Sequence, residues 1–201
     1  GKMVTGKKTI SHYLCYFSEK GVLLRKIDKN KKMVALTYDD GPSIYTPRVL
    51  KTLKENNAVA TFFVVGNRVP TYSDTVKKAH DMGCEIGNHT YEHKCLTRMS
   101  ETEVRRQISR TNKNVKKVTG QTPVIMRPTG GATNANVKQW VGMPSIIWSI
   151  DTLDWKTRNA DSTKKAVLDH VKDGDIVLMH DLYSATATAS ETIIPELVRR
   201  G

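Results

Sequence analysis

Cysteine is scarce. Cys15, Cys84 and Cys95 are the three in 201 residues, so one disulfide at most can form, and no spacing matches a zinc knuckle. That excludes a disulfide-stapled scaffold and leaves the redox compartment open. No apolar run approaches the length of a membrane-spanning helix, and no signal-peptide pattern is present. The chain opens at Gly1 rather than Met, which reads as a processed form or a fragment, so the missing signal does not bear on secretion. Aromatic residues make up 6%, and no lysine/arginine block is interleaved with them, which argues against nucleic acid as a partner. No internal repeat supports a solenoid.

Basic residues, by contrast, outnumber acidic ones 32 to 20, giving a net charge of +12. That balance suits an anionic partner such as nucleic acid, a membrane surface or a bacterial wall polymer, or else a solvated basic surface with no specific partner. The length fits one globular domain with a small appendage. The oligomeric state stays open, with a monomer favoured.

Residues 1–31 differ in kind from the rest of the chain. Glycines at 1, 6 and 21 and the alternating Tyr13-x-Cys15-x-Phe17 run predict a short β-hairpin with an aromatic face. The order G-x-M-x-T-G…Y-x-F…G-x-L resembles one degenerate copy of a glucan/choline-binding cell-wall repeat, with Lys7 where a tryptophan is usual. A plain strand pair packed on the body is the alternative. Residues 27–32 read as a basic linker.

From residue 32 onward apolar strands alternate with helical patterns. The strands are expected at 33–38, 59–65, 85–87, 124–126, 145–150 and 176–179. Helices begin at Thr46-Pro47, near Asp74, behind the capping box Ser100-x-x-Glu103 and at Asp161/Ser162, with a last one running toward Gly201. This is the pattern of an α/β barrel-like or doubly wound fold.

The polar residues fall after the strands: Asp39-Asp40, then His89 and His93, then Arg127-Pro128-Thr129-Gly130-Gly131, then Asp151-Thr152-Leu153-Asp154-Trp155, then His180-Asp181. In a parallel α/β fold such loops open on one face. Two carboxylates at the mouth of a buried strand need a positive counterpart, a metal ion or an arginine. His89 and His93 would share one side of a helical turn, and two imidazoles with one carboxylate suit zinc in an open, catalytic arrangement. Each feature has a plain alternative: a strand-end turn, a surface ion pair, a core tryptophan at 148, a core leucine at 178. Trp155 reads as packing, and Asp151 and Asp181 receive no catalytic role.

The motifs T-Y-D-D-G-P, H-T-Y-E-H, R-P-T-G-G, D-T-L-D-W and L-M-H-D resemble, in order and rough spacing, those of the polysaccharide deacetylase family. The likeness runs from Lys32 to about Gly201, and the overall texture looks most like Gram-positive peptidoglycan N-acetylglucosamine deacetylases. The resemblance implies a distorted (β/α) barrel and a metal-dependent hydrolase removing N-acetyl groups from the glycan strand at the bacterial surface. Chitin oligomers, acetylxylan or muramic acid residues are the alternative substrates, and an inactive wall-binding module the alternative class. It implies Asp40, His89 and His93 as ligands of a divalent metal, zinc with cobalt or nickel as alternatives. Asp39 is then the base, Arg127 its partner, His180 the acid and Asp154 its support. Gly130 supplies an amide to the oxyanion, and Trp148 and Leu178 wall the acetyl pocket. The family commonly has R-P-P-Y/F-G where this chain has R-P-T-G-G, which implies a more open groove. Members usually continue into a further strand beyond a helix like the last one here, so a truncated end is expected.

Overall fold

The computed structural model describes residues 4–201; Gly1 and Met3 of the repeat-like pattern lie outside them. The chain divides into two compact units, one ending at Met33 and the other spanning Val34–Arg200. The first contains an antiparallel sheet of β1 (Gly6–Ile10), β2 (Tyr13–Phe17) and β3 (Leu23–Asp28) in that order. The expected hairpin is present, but a third strand extends it. Ser18 and Gly21 close a turn (Gly21 N–H to Ser18 O, 2.9 Å) that returns the chain along β2. Residues to Asp28 therefore pair in the sheet, and the basic linker is shorter than expected. The side of β2 carrying Cys15 is its buried one.

The second unit is built on the parallel sheet β6-β5-β4-β8-β7, from β4 (Ala35–Asp39), β5 (Thr61–Val64), β6 (Glu85–Asn88), β7 (Ile150–Asp151) and β8 (Ile176–His180). Helices α1 (Thr46–Glu55), α2 (Ser73–Asp81) and α3 (Glu101–Thr119) follow the first three of these strands. Helices α4 (Ala135–Val141), α5 (Asp154–Thr157), α6 (Ala160–Leu168) and α7 (Ser184–Arg199) complete the unit. Of two segments expected as strands, 124–126 is reduced to bridges from Met126 to Asn88 and to Ser145, and 145–150 contributes Ser145 to a bridge and only Ile150 to β7. Pro123 and Pro128 flank the first and Pro144 immediately precedes the second, and proline cannot donate to a ladder. Those bridges nonetheless link β6 to the segment that becomes β7. The sheet thus closes on itself, which is the distortion of the barrel.

Local chemistry explains most boundaries. Ser100 and Glu103 form a reciprocal capping box at the start of α3, and Gly120 ends it in the left-handed conformation. Helix α1 begins at Thr46 as expected, but Thr46 is its first residue rather than its cap: Tyr45 precedes it without a capping side chain, and the Thr46 hydroxyl is engaged with Asp181 and the Ser43 N–H. The alternation in β4 sorts its side chains. Leu36 and Tyr38 join the core with Val49, Leu50 and Leu53 of α1 and Ile193 and Ile194 of α7, and the Tyr38 hydroxyl meets Ser190 of α7 at 2.8 Å. Thr37 and Asp39 point the opposite way. Cys15, Cys84 and Cys95 form no disulfide among the described residues.

Candidate active site

The register of the parallel strands collects the chemistry at their carboxyl ends. Asp39 lies beside Phe63 of β5 on one side and His180 of β8 on the other, and Leu178 lies beside Asp151. A pocket of about 420 Å³ opens there, lined by Asp39, Asp40, His89, His93, Gly130, Trp148, Asp151, Trp155, Leu178, His180 and Tyr183.

The adjacent carboxylates part company through backbone geometry. Asp39 is the last residue of β4 and shares its face with Thr37. Arg127 Nη1 donates to both, at 2.8 Å to Asp39 Oδ1 and 2.6 Å to Thr37 Oγ1. Arg127 is fully buried, its Nε bonded to the carbonyl of Ile146 at 3.0 Å and its plane over Phe63 at 4.3 Å. Burial raises the Asp39 pKa, while His89 and Arg127 work in the other direction. Asp40, by contrast, has φ +69°, so the chain leaves the strand and turns this carboxylate toward the imidazoles.

Asp40 Oδ1 lies 3.2 Å from His89 Nε2 and 2.8 Å from His93 Nε2, yet it is buried without a hydrogen-bonding partner. His89 Nδ1 sits 2.7 Å from the carbonyl of Arg127. It donates there, leaving Nε2 with a lone pair aimed at Asp40. One ligand atom from each of Asp40, His89 and His93 falls within 4.8 Å of the others. Burial disfavours charge on His89, but Asp39 and Asp40 outweigh it and raise its pKa. Burial likewise opposes charge on Asp40, and the two imidazoles, when protonated in place of a bound cation, outweigh it and hold its pKa well below the ordinary carboxylate range. An acceptor without a donor beside inward lone pairs fits a divalent cation. The expected helical turn is absent: Thr90 and His93 both have positive φ, at 66° and 55°, and this irregular loop turns His93 back over Asp40.

Across the pocket, Asp154 Oδ1 meets His180 Nδ1 at 2.7 Å, and its Oδ2 accepts from the His180 backbone N–H at 2.7 Å. Burial works against charge on His180, and Asp154 overrides it, raising the pKa. Asp181, assigned no role from sequence, is fully buried. Its Oδ2 accepts from Thr46, and its carbonyl accepts from the Ser43 hydroxyl at 2.5 Å. Burial pushes its pKa up to about 7. A Cβ on Gly41 would stand 2.3 Å from its Oδ1, so only glycine fits between Asp40 and this carboxyl.

The ten residues expected from the sequence all reach the site, eight in the pocket wall and Arg127 and Asp154 directly behind it. Leu178 is buried and Trp148 half-buried, its ring 5.5 Å from the Arg127 guanidinium. Trp155 is not packing: it is 46% exposed and lines the pocket. Asp151 lines it too. Sequence reasoning misses Tyr183, although it follows β8 at the kind of strand end where the other polar residues of the site lie.

A closed parallel α/β sheet with a candidate metal centre at the carboxyl ends of its strands narrows the class to barrel-like α/β proteins that carry their chemistry on the loops after the strands. Comparison with known sequences sharpens this, since the profile of polysaccharide deacetylases matches residues 26–142. The chain belongs to the polysaccharide deacetylase family. It is 46% identical over 174 residues to the peptidoglycan-N-acetylglucosamine deacetylase PgdA of Listeria monocytogenes, covering 86% of this chain and 37% of that protein. It is 38% identical to the peptidoglycan-N-acetylmuramic acid deacetylase PdaC of Bacillus subtilis over 87% of this chain and 38% of that one. The solved structure of Bacillus subtilis PdaC superimposes with a TM-score of 0.85, covering 87% of each chain at 38% identity. The chain thus spans little more than a third of the length of these two curated relatives.

Proposed function

We propose that this chain removes N-acetyl groups from N-acetylglucosamine residues of peptidoglycan, as a metal-dependent hydrolase outside the cell or on the wall. The observation that carries this reading is the division of labour between adjacent carboxylates, Asp39 on Arg127 and Asp40 among imidazoles, facing a carboxylate-backed histidine. Asp40, His89 and His93 would hold the cation, for which we propose zinc; when bound it supplies Lewis acidity toward the acetyl carbonyl and lowers the pKa of a water molecule. Arg127 occupies Oδ1 of Asp39 and orients it, leaving Oδ2 to take a proton as general base, a role that a raised pKa suits. Asp154 holds His180 with its Nδ1–H committed, so that Nε2 delivers a proton to the departing sugar amine. Without that proton the amide nitrogen is a poor leaving group. Gly130 offers its backbone N–H to the oxygen that gains charge, a contribution of about 3 kcal/mol in comparable sites. Trp148 and Leu178 bound the space for the acetyl methyl. The relatives' names support peptidoglycan as substrate, and the basic surface suits an anionic wall.

Acetate release tests the reading, measured side by side on peptidoglycan, chitin oligomers and acetylxylan. Peptidoglycan should be preferred, and Asp39→Asn should lower its turnover at least a hundredfold while bound metal stays at the wild-type level. Preference for chitin or xylan would replace the substrate; full turnover by Asp39→Asn would remove the base.

A further inference from the structure

Arg158 sits at the rim of the pocket in an arrangement that the deacetylation chemistry does not use. It terminates α5 in the left-handed conformation (φ 50°), which a non-glycine residue adopts at a cost of about 1 kcal/mol or more. Three contacts hold it there. Its backbone N–H donates to the carbonyl of Asp154 at 3.0 Å, its Nε donates to the carbonyl of Trp155 at 2.8 Å, and its guanidinium lies over the Tyr183 ring, 3.5 Å from the centroid. Trp155 and Tyr183 are both pocket-wall residues, and the Tyr183 ring stands 6.1 Å from that of His180. The cation is therefore fixed one aromatic ring beyond the proposed acid.

Arg48, Arg105, Arg199 and Arg200 each pair with a glutamate. Arg158, exposed to solvent, has no carboxylate partner among the described residues. An exposed ion pair is normally weak because two mobile side chains must be ordered to form it. Here the guanidinium is already ordered, and its planar fork matches a carboxylate. Asp151, an acid of the pocket wall, accepts from the Leu153 N–H at 2.9 Å and forms no ion pair with Arg158. Lys156, also exposed on α5, adds a second positive charge.

We propose that Arg158 on its Tyr183 platform is a carboxylate subsite, which binds the acid carried by the sugar next to the one being deacetylated. The inference rests on the peptidoglycan reading and narrows it: the substrate is a glycan bearing an anionic substituent rather than a neutral chitin-like chain. The carboxylate has two sources, the 3-O-lactyl ether of the neighbouring sugar when it carries no peptide, or the acids of an attached peptide stem.

The test compares wild type with Arg158→Gln, metal-loaded, on four substrates: peptide-bearing glycan strands, peptide-stripped strands, stripped strands with the lactyl carboxyl converted to an amide, and neutral chitin tetramers. Packing lost from Tyr183 affects all four alike, so the readout is the ratio between substrates. The variant should lose five- to tenfold more kcat/KM on stripped strands than on tetramers, mainly through KM, and amidation of the substrate should erase that difference. Arg158→Lys should fall between. A selective loss confined to peptide-bearing strands would assign the stem acids as the source. Equal loss on all four substrates overturns the proposal. Should wild type release acetate from none of them, the deacetylase reading falls. The same four ligands, measured by calorimetric binding to wild type and variant, then decide the carboxylate subsite independently.

Discussion

Replacing Asp154 with asparagine keeps the shape of the residue and changes only what its two ends can do. In the protein every contact to this carboxylate comes from a donor: His180 Nδ1 and the Trp155 N–H to Oδ1, the His180 N–H and the Thr186 hydroxyl to Oδ2. An amide group must face one of these pairs. Facing Oδ2's partners, it can be met by a rotated Thr186 hydroxyl, but the buried His180 N–H is left unpaired. Facing Oδ1's partners, it abandons the Trp155 N–H and forces His180 into the tautomer that accepts at Nδ1. Either way one backbone donor is orphaned, at about 1–3 kcal/mol where it is the buried His180 N–H and less where it is the part-buried Trp155 N–H, or a fall in Tm of roughly 2–4 °C per kcal/mol for a chain of this size. The catalytic loss is larger, because His180 also loses the charge that raises its pKa. As the proposed general acid it would work only while protonated, so activity should decline as pH rises through that raised value, and Asp154→Asn should move the decline to lower pH. At neutral pH kcat should drop by about two to four orders of magnitude. The stability contributed by the ion pair follows the same sign: it is complete below the unfolded histidine value of about 6.5 and lost as pH rises through the folded one. Stopped acetate-release assays from pH 5 to 9, with thermal melts and elemental analysis on the same samples, separate the effects. Metal content should hold, since Asp40, His89 and His93 do not touch Asp154. A variant with wild-type kcat and an unmoved alkaline limb would refute the assignment of His180 as the acid backed by Asp154.

Two further substitutions probe the other half of the site. His89→Ala should cost most of the bound metal by elemental analysis, and unchanged stoichiometry would remove His89 from the ligand set. Gly87→Ala places a Cβ 2.4 Å from the Phe63 ring, which is itself buried beneath the Arg127 guanidinium. It should destabilise the fold by about 1–3 kcal/mol in urea titration, and a neutral result would mean that the ring has room to move.

Much of this molecule is legible in its sequence because strand ends are. A run such as Ala35–Asp39 stops being apolar where it reaches the rim of the sheet, so reading the residue after each run finds Asp39, Asp40, His89, Arg127 and His180 together. The Ser100–Glu103 box is equally local, and it forms as expected. The features that escape a sequence reading depend on contacts distant along the chain or on uncommon backbone. Nothing at Thr90 or His93 announces a positive φ, and the left-handed Leu153 and Arg158 that bracket α5 carry no signature either. Trp155 departs from its expected packing role because its exposure is decided by that short helix. Helix α4 escapes for a weaker reason: Asn134 caps it by accepting from the Val137 N–H at 2.9 Å, a signal that stands in the sequence. The segments 124–126 and 145–149 mislead because their apolar content suggests ladders, while Pro123, Pro128 and Pro144 at their ends interrupt the pairing.

The position of Arg127 would keep the proposed base and the proposed ligand in step. Its side chain fixes Asp39 from one side, and its carbonyl takes the Nδ1–H of His89 on the other. The guanidinium is anchored in turn to Ile146 and, through Thr37, to the carbonyl of Val177 in β8. Any movement of the 127 backbone therefore turns the His89 ring and shifts the Asp39 carboxylate together. A buried ion pair is in general a poor source of stability, because desolvation offsets its attraction. On the proposed roles, Arg127 is better understood as a coupling between the base Asp39 and the ligand His89, which that chemistry requires to be a fixed distance apart. This gives a physical reason for burying so large a cation beside β4, where a hydrophobic residue of the same volume would pack at lower cost and would fix neither the base nor the ring.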